Sequence, residues 1–528
     1  MKFPVGIQTF EHIRKDGYAY VDKTALVHKL ANNGKAYFLS RPRRFGKSLL
    51  VSTLDAYFSG RKDLFEGLAM ERLETEWAQH TVLHLDLDGI NYAEPLALEA
   101  KLQNYVVEWE RQFGLTPVAD NLSVRFGNVI AEAHKAQGRG VVVLIDEYDK
   151  PLLDVLGLPM RVCVGGMEMT LEERNRDLLK GFYSVLKEQD RNLRFVLLTG
   201  VTKFSQVSVF SGLNNINDVS MDARYETLCG ITPGELEKVF GAEMDEMAAE
   251  RGWTPERLRD EIRRRYDGYH FSEAMTDIYN PFSLVKALDS RKLEDHWFKT
   301  GTPTYLVRLL RGSDAHLDEM VGRYYSVEEF EDYRADVERP LPMIFQSGYL
   351  TIKDYDELSG SYKLDLPNDE VRRGFTRVVA DSHFGRDGAT GPVARQMAIA
   401  VSGGDFPGFM TTLTAFLASV PYTMRRKDSE PERERYFQYT FYLVLRLLGT
   451  YIVDVEVAQS QGRVDCVLQT KTDAYVVEFK LDGTADEALR QIAERGYARP
   501  YDGGALRVHR VGVSFSSETG TIGEWREE

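Results

Sequence analysis

In the first 220 residues, four short apolar runs (36–39, 82–87, 141–145 and 195–198) alternate with stretches whose apolar residues recur at helical spacing. Leu50, Leu54, Tyr57 and Phe58, at i, i+4, i+7 and i+8, form one such helical stripe. Strands this apolar need cover on both faces, and strands joined by helical crossovers run parallel. The expected fold class is therefore α/β, opening on a parallel sheet. With 528 residues, 43% apolar and 28% charged, the chain has the composition of a folded multidomain protein.

The pattern changes further on. From about 225 to 340 it is mostly helical, with amphipathic helices expected over 228–250 and 254–266. Residues 349–355 and 361–366 alternate as strands around a polar turn, which predicts a β-hairpin. A helix should follow from Pro367-Asn368-Asp369-Glu370 to Val379. Helices followed by a hairpin suggest a winged-helix-like unit. Polar stretches at 385–391 and 425–435 mark boundaries, giving expected domains of 1–224, 225–385 and 390–528.

Ser40-Arg41-Pro42-Arg43-Arg44-Phe45-Gly46-Lys47-Ser48 lies between a strand and an amphipathic helix, the context of a P-loop. Backbone N–H groups at a helix N-terminus cradle phosphates. Gly46 lets the backbone approach the anion, Lys47 reaches the β- and γ-phosphates, and Ser48 ligates Mg²⁺. Arg43 and Arg44 add positive charge. The pattern departs from G-x-x-x-x-G-K-[ST] at Arg41, where glycine is usual, so a basic turn that merely contains Gly-Lys-Ser is the alternative. The next motif weighs against it. Val141-Val142-Val143-Leu144-Ile145-Asp146-Glu147 is a buried-strand run ending in two acids, as in a Walker B strand. Asp146 would hold Mg²⁺ and Glu147 would polarise an attacking water. Thr199, ending a third apolar run, is placed like a γ-phosphate sensor, with Lys203 or Arg224 as further positive charge.

These segments resemble the prokaryotic AAA-ATPase-like family, in which arginines commonly occupy the P-loop. The resemblance extends through Tyr57-Phe58-x-Gly60, Leu64-Phe65-x-Gly67-Leu68 and Asp146-Glu147-Tyr148-Asp149-Lys150-Pro151. It continues through 199–205, Tyr266-Asp267-Gly268-Tyr269, Tyr279-Asn280-Pro281-Phe282-Ser283 and Phe345-Gln346-x-Gly348-Tyr349-Leu350. It implies ATP as ligand and Arg41 as a family trait. Many ATPases of this class assemble, so a homo-oligomer with an arginine finger in trans is one expectation; Arg224, Arg263 and Arg265 are the candidates.

Near the C-terminus, Gly462-Arg463-Val464-Asp465 is followed by Val476-Val477-Glu478-Phe479-Lys480. Both segments are strand-like. Residues two apart in a strand share a face, so Glu478 and Lys480 point one way and Phe479 the other. Pairing the strands would bring Asp465 beside Glu478, and two close carboxylates call for Mg²⁺ or Mn²⁺. A cross-strand ion pair is the plainer reading of any single E-x-K. The full arrangement resembles the PD-(D/E)XK nuclease superfamily. That resemblance makes Asp465 and Glu478 metal ligands and Lys480 the residue that orients water and stabilises developing charge. Glu434 is the expected upstream acid, Glu456 a weaker candidate, and Gln491 orders the site with Tyr497 nearby.

The net charge of −15 argues against a broadly basic nucleic-acid binder. Residues 391–528 carry only about −3 of it. Arg435, Arg463, Lys480, Arg490, Arg495 and Arg499 can therefore form a local funnel for DNA or RNA. Three dispersed cysteines exclude a disulfide framework and fit a reducing, cytoplasmic setting. No apolar run approaches the length of a membrane span, and the first residues lack a signal-peptide core. His80 and His84 lie on a strand, and no Cys–His spacing suits zinc.

Two functions compete on these grounds. One is an ATP-regulated, Mg²⁺-dependent nuclease. The other is a nucleotide-binding switch or scaffold whose nuclease-like domain only binds nucleic acid or protein.

Overall fold

The computed structural model describes the chain except residues 118–119, 204–215, 300–303, 313–315, 332–338, 386–389, 421–429, 450–455, 461–463 and 471. Inside described elements, the side chains of 311, 312, 318, 430–435, 437, 438, 456–460 and 464–466 are also outside the description. The chain divides into two compact units, residues 1–315 with 319–370, and 316–318 with 371–528.

The first unit is built on strands β1 (Ala36–Ser40), β2 (Val82–Asp86), β3 (Val141–Asp146), β6 (Leu193–Gly200) and β7 (Asn217–Asp218). They form one sheet in the order β2-β3-β6-β1-β7, every pair parallel. The four apolar runs expected as strands are all strands. Val142 and Leu144 of β3 and Phe195 and Leu197 of β6 pack with Leu50, Leu54, Tyr57 and Phe58, the stripe of the helix Lys47–Phe58. Val143 and Ile145 point to the other face by alternation and are equally buried, so helices cover both sides. Because the strands are parallel, their C-terminal ends share one edge. The register there sets Asp86 beside Asp146, and Ser40 beside Gly200.

A hairpin that the sequence pattern did not suggest follows β3. Strands β4 (Arg161–Val164) and β5 (Met167–Thr170) turn at Gly165-Gly166, both with positive φ. The helices expected over 228–250 and 254–266 begin at Pro233 and Pro255. Proline at the first turn lacks only an N–H that would be unpaired anyway, and the Thr232 and Thr254 hydroxyls accept the third-residue N–H groups. Residues 228–232 thus precede the first helix rather than opening it. The expected hairpin is present as β9 (Thr351–Asp356) and β10 (Ser361–Asp365), extended to three strands by β8 (Arg323–Tyr325).

The second unit carries a sheet of β11 (Glu456–Ser460), β12 (Val464–Gln469), β13 (Asp473–Leu481), β14 (Arg507–Ser516) and β15 (Thr521–Glu527), paired in chain order. All pairs are antiparallel except β13–β14, which the helix Ala485–Arg495 connects. Gly512 on β14 is where that helix comes closest: a Cβ there would collide with the Ala485 carbonyl.

Candidate functional site

The loop after β1 enters the helix Lys47–Phe58 through Gly46, whose φ of 93° is a left-handed conformation that glycine adopts without strain. Arg44, at φ 65°, has the same sign without that freedom. Lys47 is 3% exposed; its Nζ donates to the Arg41 and Pro42 carbonyls at 3.2 and 3.3 Å and lies 3.6 Å from Glu147 Oε1. The lysine is therefore folded over the loop it serves. Asp146 closes the group from the end of β3. Burial, then the charge of Glu147, push its carboxyl up to about 6, opposed by the Ser48 hydroxyl bond and by Lys47.

A cavity of about 370 Å³ adjoins this group. Arg43, Arg44, Gly46, Lys47, Ser48 and Glu147 line its polar end, with Asp86 and Asp88. Tyr20, Val21, Ile231, Phe240, Phe282 and Val285 line the rest, together with residues 4–8. A cationic loop beside an apolar compartment suits a ligand with a polyphosphate and a flat base. The donor set also suits a divalent cation: a hydroxyl, a nearly buried carboxyl whose charge lacks full compensation, and a second carboxyl next to it.

Sequence reasoning placed Arg43, Arg44, Gly46, Lys47, Ser48, Asp146 and Glu147 together, and they converge. Thr199 does not line the cavity; it is fully buried, and its hydroxyl has no hydrogen-bond partner among the described residues. Lys203 is not available to a phosphate, being paired with Asp218 at 3.0 Å and with Glu331. Arg224 lies on Asp222, Arg263 on Asp260 and Arg265 on Glu261. Arg41 turns inward and is 1% exposed. Its guanidinium donates to the carbonyls of Ser40, Ser220 and Glu226 and stacks 4.1 Å over Phe271. The positive charge lining the cavity thus comes from Arg43, Arg44 and Lys47, and from Lys23, which is paired with Glu235 at 2.6 Å.

Asp149 escaped the sequence reading, which gave roles to Asp146 and Glu147 and none to the residues after them. It is fully buried and accepts bonds from the Val201 and Thr202 N–H groups and the Thr202 hydroxyl, lashing the end of β3 to the end of β6. Three acids in four residues after a buried strand were the available signal.

In the second unit, Glu478 of β13 is 3% exposed, and Lys480 Nζ lies 3.3 Å from its Oε1 and donates to Gln491 Oε1 at 2.6 Å. Phe479 faces the other way, onto Phe441 at 4.1 Å and Phe515 at 5.5 Å, as alternation requires. The β12–β13 register pairs Cys466 with Val477, so the next position sets Asp465 across from Glu478. Arg463 and the side chains of Asp465, Glu434, Glu456 and Arg435 lie outside the described residues. Among the described residues no three His, Cys, Asp or Glu converge as a metal site. The helix Glu430–Gly449, which carries Glu434, packs through Phe441 on the Phe479 face. Tyr497 packs with Val467, Val476 and Ile492, and Val476 lies on the Glu478–Lys480 side of β13 by alternation.

A parallel sheet with a phosphate loop and an acid-ended neighbouring strand, followed by a mixed sheet bearing E-x-K, defines a P-loop ATPase-like protein with a nuclease-like domain. Residues 4–210 match the family described as Predicted AAA-ATPase, and residues 432–525 match the PD-(D/E)XK nuclease superfamily. The chain is 37% identical over 530 residues to a protein of Azotobacter chroococcum mcd 1 described as "Uncharacterized protein in vnfD 5'region", covering 99% of this chain and 98% of that one. It belongs to the same family as that protein, an AAA-ATPase-like family with a C-terminal PD-(D/E)XK domain. Among the described residues no helix is long and apolar enough to cross a membrane.

Proposed function

We propose that the chain binds ATP with Mg²⁺ in the 370 Å³ cavity, hydrolyses it, and thereby controls a metal-dependent phosphodiesterase of its C-terminal domain acting on DNA or RNA. The observation that carries this reading is the convergence of Gly46, Lys47, Ser48 and Glu147 on one cavity, with Asp146 buried directly behind them on the Ser48 hydroxyl. Lys47 would leave the Arg41 and Pro42 carbonyls for the phosphates, and Glu147, released from Lys47, would orient the attacking water. Ser48 and Asp146 would hold the cation, which supplies charge neutralisation at the phosphates. In the C-terminal domain, Asp465, Glu478 and Glu434 would hold Mg²⁺ or Mn²⁺. Lys480, kept in place by Gln491, would stabilise charge on the phosphate oxygens. The division into 1–224, 225–385 and 390–528 assigns these tasks to the first and last parts, with the middle between them. A homo-oligomer belongs to the same reading.

The test pairs calorimetric titration of ATP with cleavage of DNA and RNA in Mg²⁺ or Mn²⁺, with and without ATP. Lys47→Ala should weaken ATP roughly 10- to 100-fold, the worth of one charge-assisted bond to phosphate. Lys480→Ala should slow cleavage by about 100-fold or more. Cleavage by Lys480→Ala at the wild-type rate would show the nuclease assignment to be wrong.

A further inference from the structure

The phosphate loop is held from a second side by a residue far along the chain. Arg41, Pro42, Phe45 and Lys47 are buried, whereas Arg43 and Arg44 are exposed. The Trp297 indole N–H donates to the Arg43 carbonyl at 3.2 Å. Trp297 is itself fixed: its backbone N–H donates to Glu370 Oε1 at 2.6 Å, Glu370 is 1% exposed, and the indole packs 5.2 Å from both Phe298 and Tyr349.

A peptide unit is planar and trans, so its carbonyl and the following N–H point in opposite directions. Holding the Arg43 carbonyl on the indole therefore turns the Arg44 N–H away from Trp297. Trp297 does not line the cavity, whereas Arg43 and Arg44 do. Arg44 also keeps a φ of 65°, which a non-glycine residue holds only where its surroundings impose it. The indole is a donor and cannot accept, so the bond has one sense only.

We propose that Trp297 is a positioning residue of the phosphate loop: it sets the Arg43–Arg44 peptide so that the Arg44 N–H is presented to a phosphate oxygen of the bound nucleotide. This rests on the nucleotide reading above. The sequence distance is 254 residues, so a helix of the middle region becomes part of the nucleotide site without touching the nucleotide.

The test is Trp297→Phe in the full chain, which keeps an aromatic ring in the stack and removes the donor. In nucleotide-free protein, hydrogen exchange over 43–47 should speed up several-fold while that over 345–352 stays at the wild-type rate. ATP affinity should fall about fivefold, the worth of one neutral hydrogen bond, with adenosine affinity unchanged. Unchanged exchange over 43–47 overturns the proposal whether or not ATP binds. Equal weakening of ATP and adenosine also overturns it, since that would be general loss of packing. If the wild type binds no ATP, the nucleotide reading fails, and with it the proposed role toward phosphate.

Discussion

Arg41 occupies the position where a phosphate loop usually has glycine, and its guanidinium is spent on the carbonyls of Ser40, Ser220 and Glu226. Burial lowers its pKa to about 10, so the group stays charged at neutral pH. Arg41→Ala would leave those carbonyls buried and without their donor, a loss of about 2–4 kcal/mol in urea denaturation. Arg41→Lys should recover less than half of this, because an ammonium cannot fork across three acceptors or lie flat on Phe271. If Arg41→Ala instead kept its stability but lost nucleotide binding, the guanidinium would have to serve phosphate and the inward assignment would fail. The type of this residue was plain in the sequence; its direction depended on Ser220 and Phe271, which no local pattern brings near.

Elements tie the chemistry together in ways a single segment does not show. β3 and β6 are joined at their ends by Asp149, and β13, β14 and β15 by Asp473 with His509. Burial raises the Asp473 carboxyl, but bonds from Thr472, His509 and Arg507 outweigh it and hold the group below the ordinary aspartate range. A carboxyl lowered in the folded state stabilises the fold above its unfolded value, 3.8, and loses that contribution as pH falls through its folded value. The second unit should therefore keep its thermal midpoint from pH 7 to about 4 as far as this group is concerned, then lose stability below. Asp473→Asn should lower the midpoint at pH 7 and shrink the acid dependence below 4. An acid profile identical to wild type would remove Asp473 from the account. The E-x-K strand itself was readable from period-two alternation, and Phe479 against Phe441 bears that out. The Asp473 brace was not readable, since it joins residues 36 apart across parallel strands.

Over the whole molecule, two compact units imply two cooperative transitions. Calorimetry should resolve them. ATP with Mg²⁺ should raise the transition of the unit bearing Gly46–Ser48 by about 2.7 kcal/mol of stabilisation at 100 times Kd. At the same ATP concentration Lys47→Ala, binding 10- to 100-fold more weakly, should cut that stabilisation to about 0.4–1.4 kcal/mol while leaving the other transition in place. A single transition insensitive to ATP would argue against both the division and the site. The charge of −15 lies mainly outside the region after residue 390, so it sets no barrier to a nucleic-acid role there.

Strand-and-helix alternation, the Gly46-Lys47-Ser48 turn, the acids ending β3 and the E-x-K of β13 are local, because each motif sits within one strand and its adjoining turn. There, backbone period and side-chain chemistry are written in adjacent residues, and the parallel sheet and both candidate sites follow from them. Which side chains reach those sites is another matter. That Arg41 turns inward, that Lys203 is taken by Asp218 and Glu331, and that Trp297 grips Arg43 depend on packing between segments tens to hundreds of residues apart. Such contacts form only when the fold closes, because burial makes every unpaired polar group costly and so selects partners by position in space, not by order along the chain.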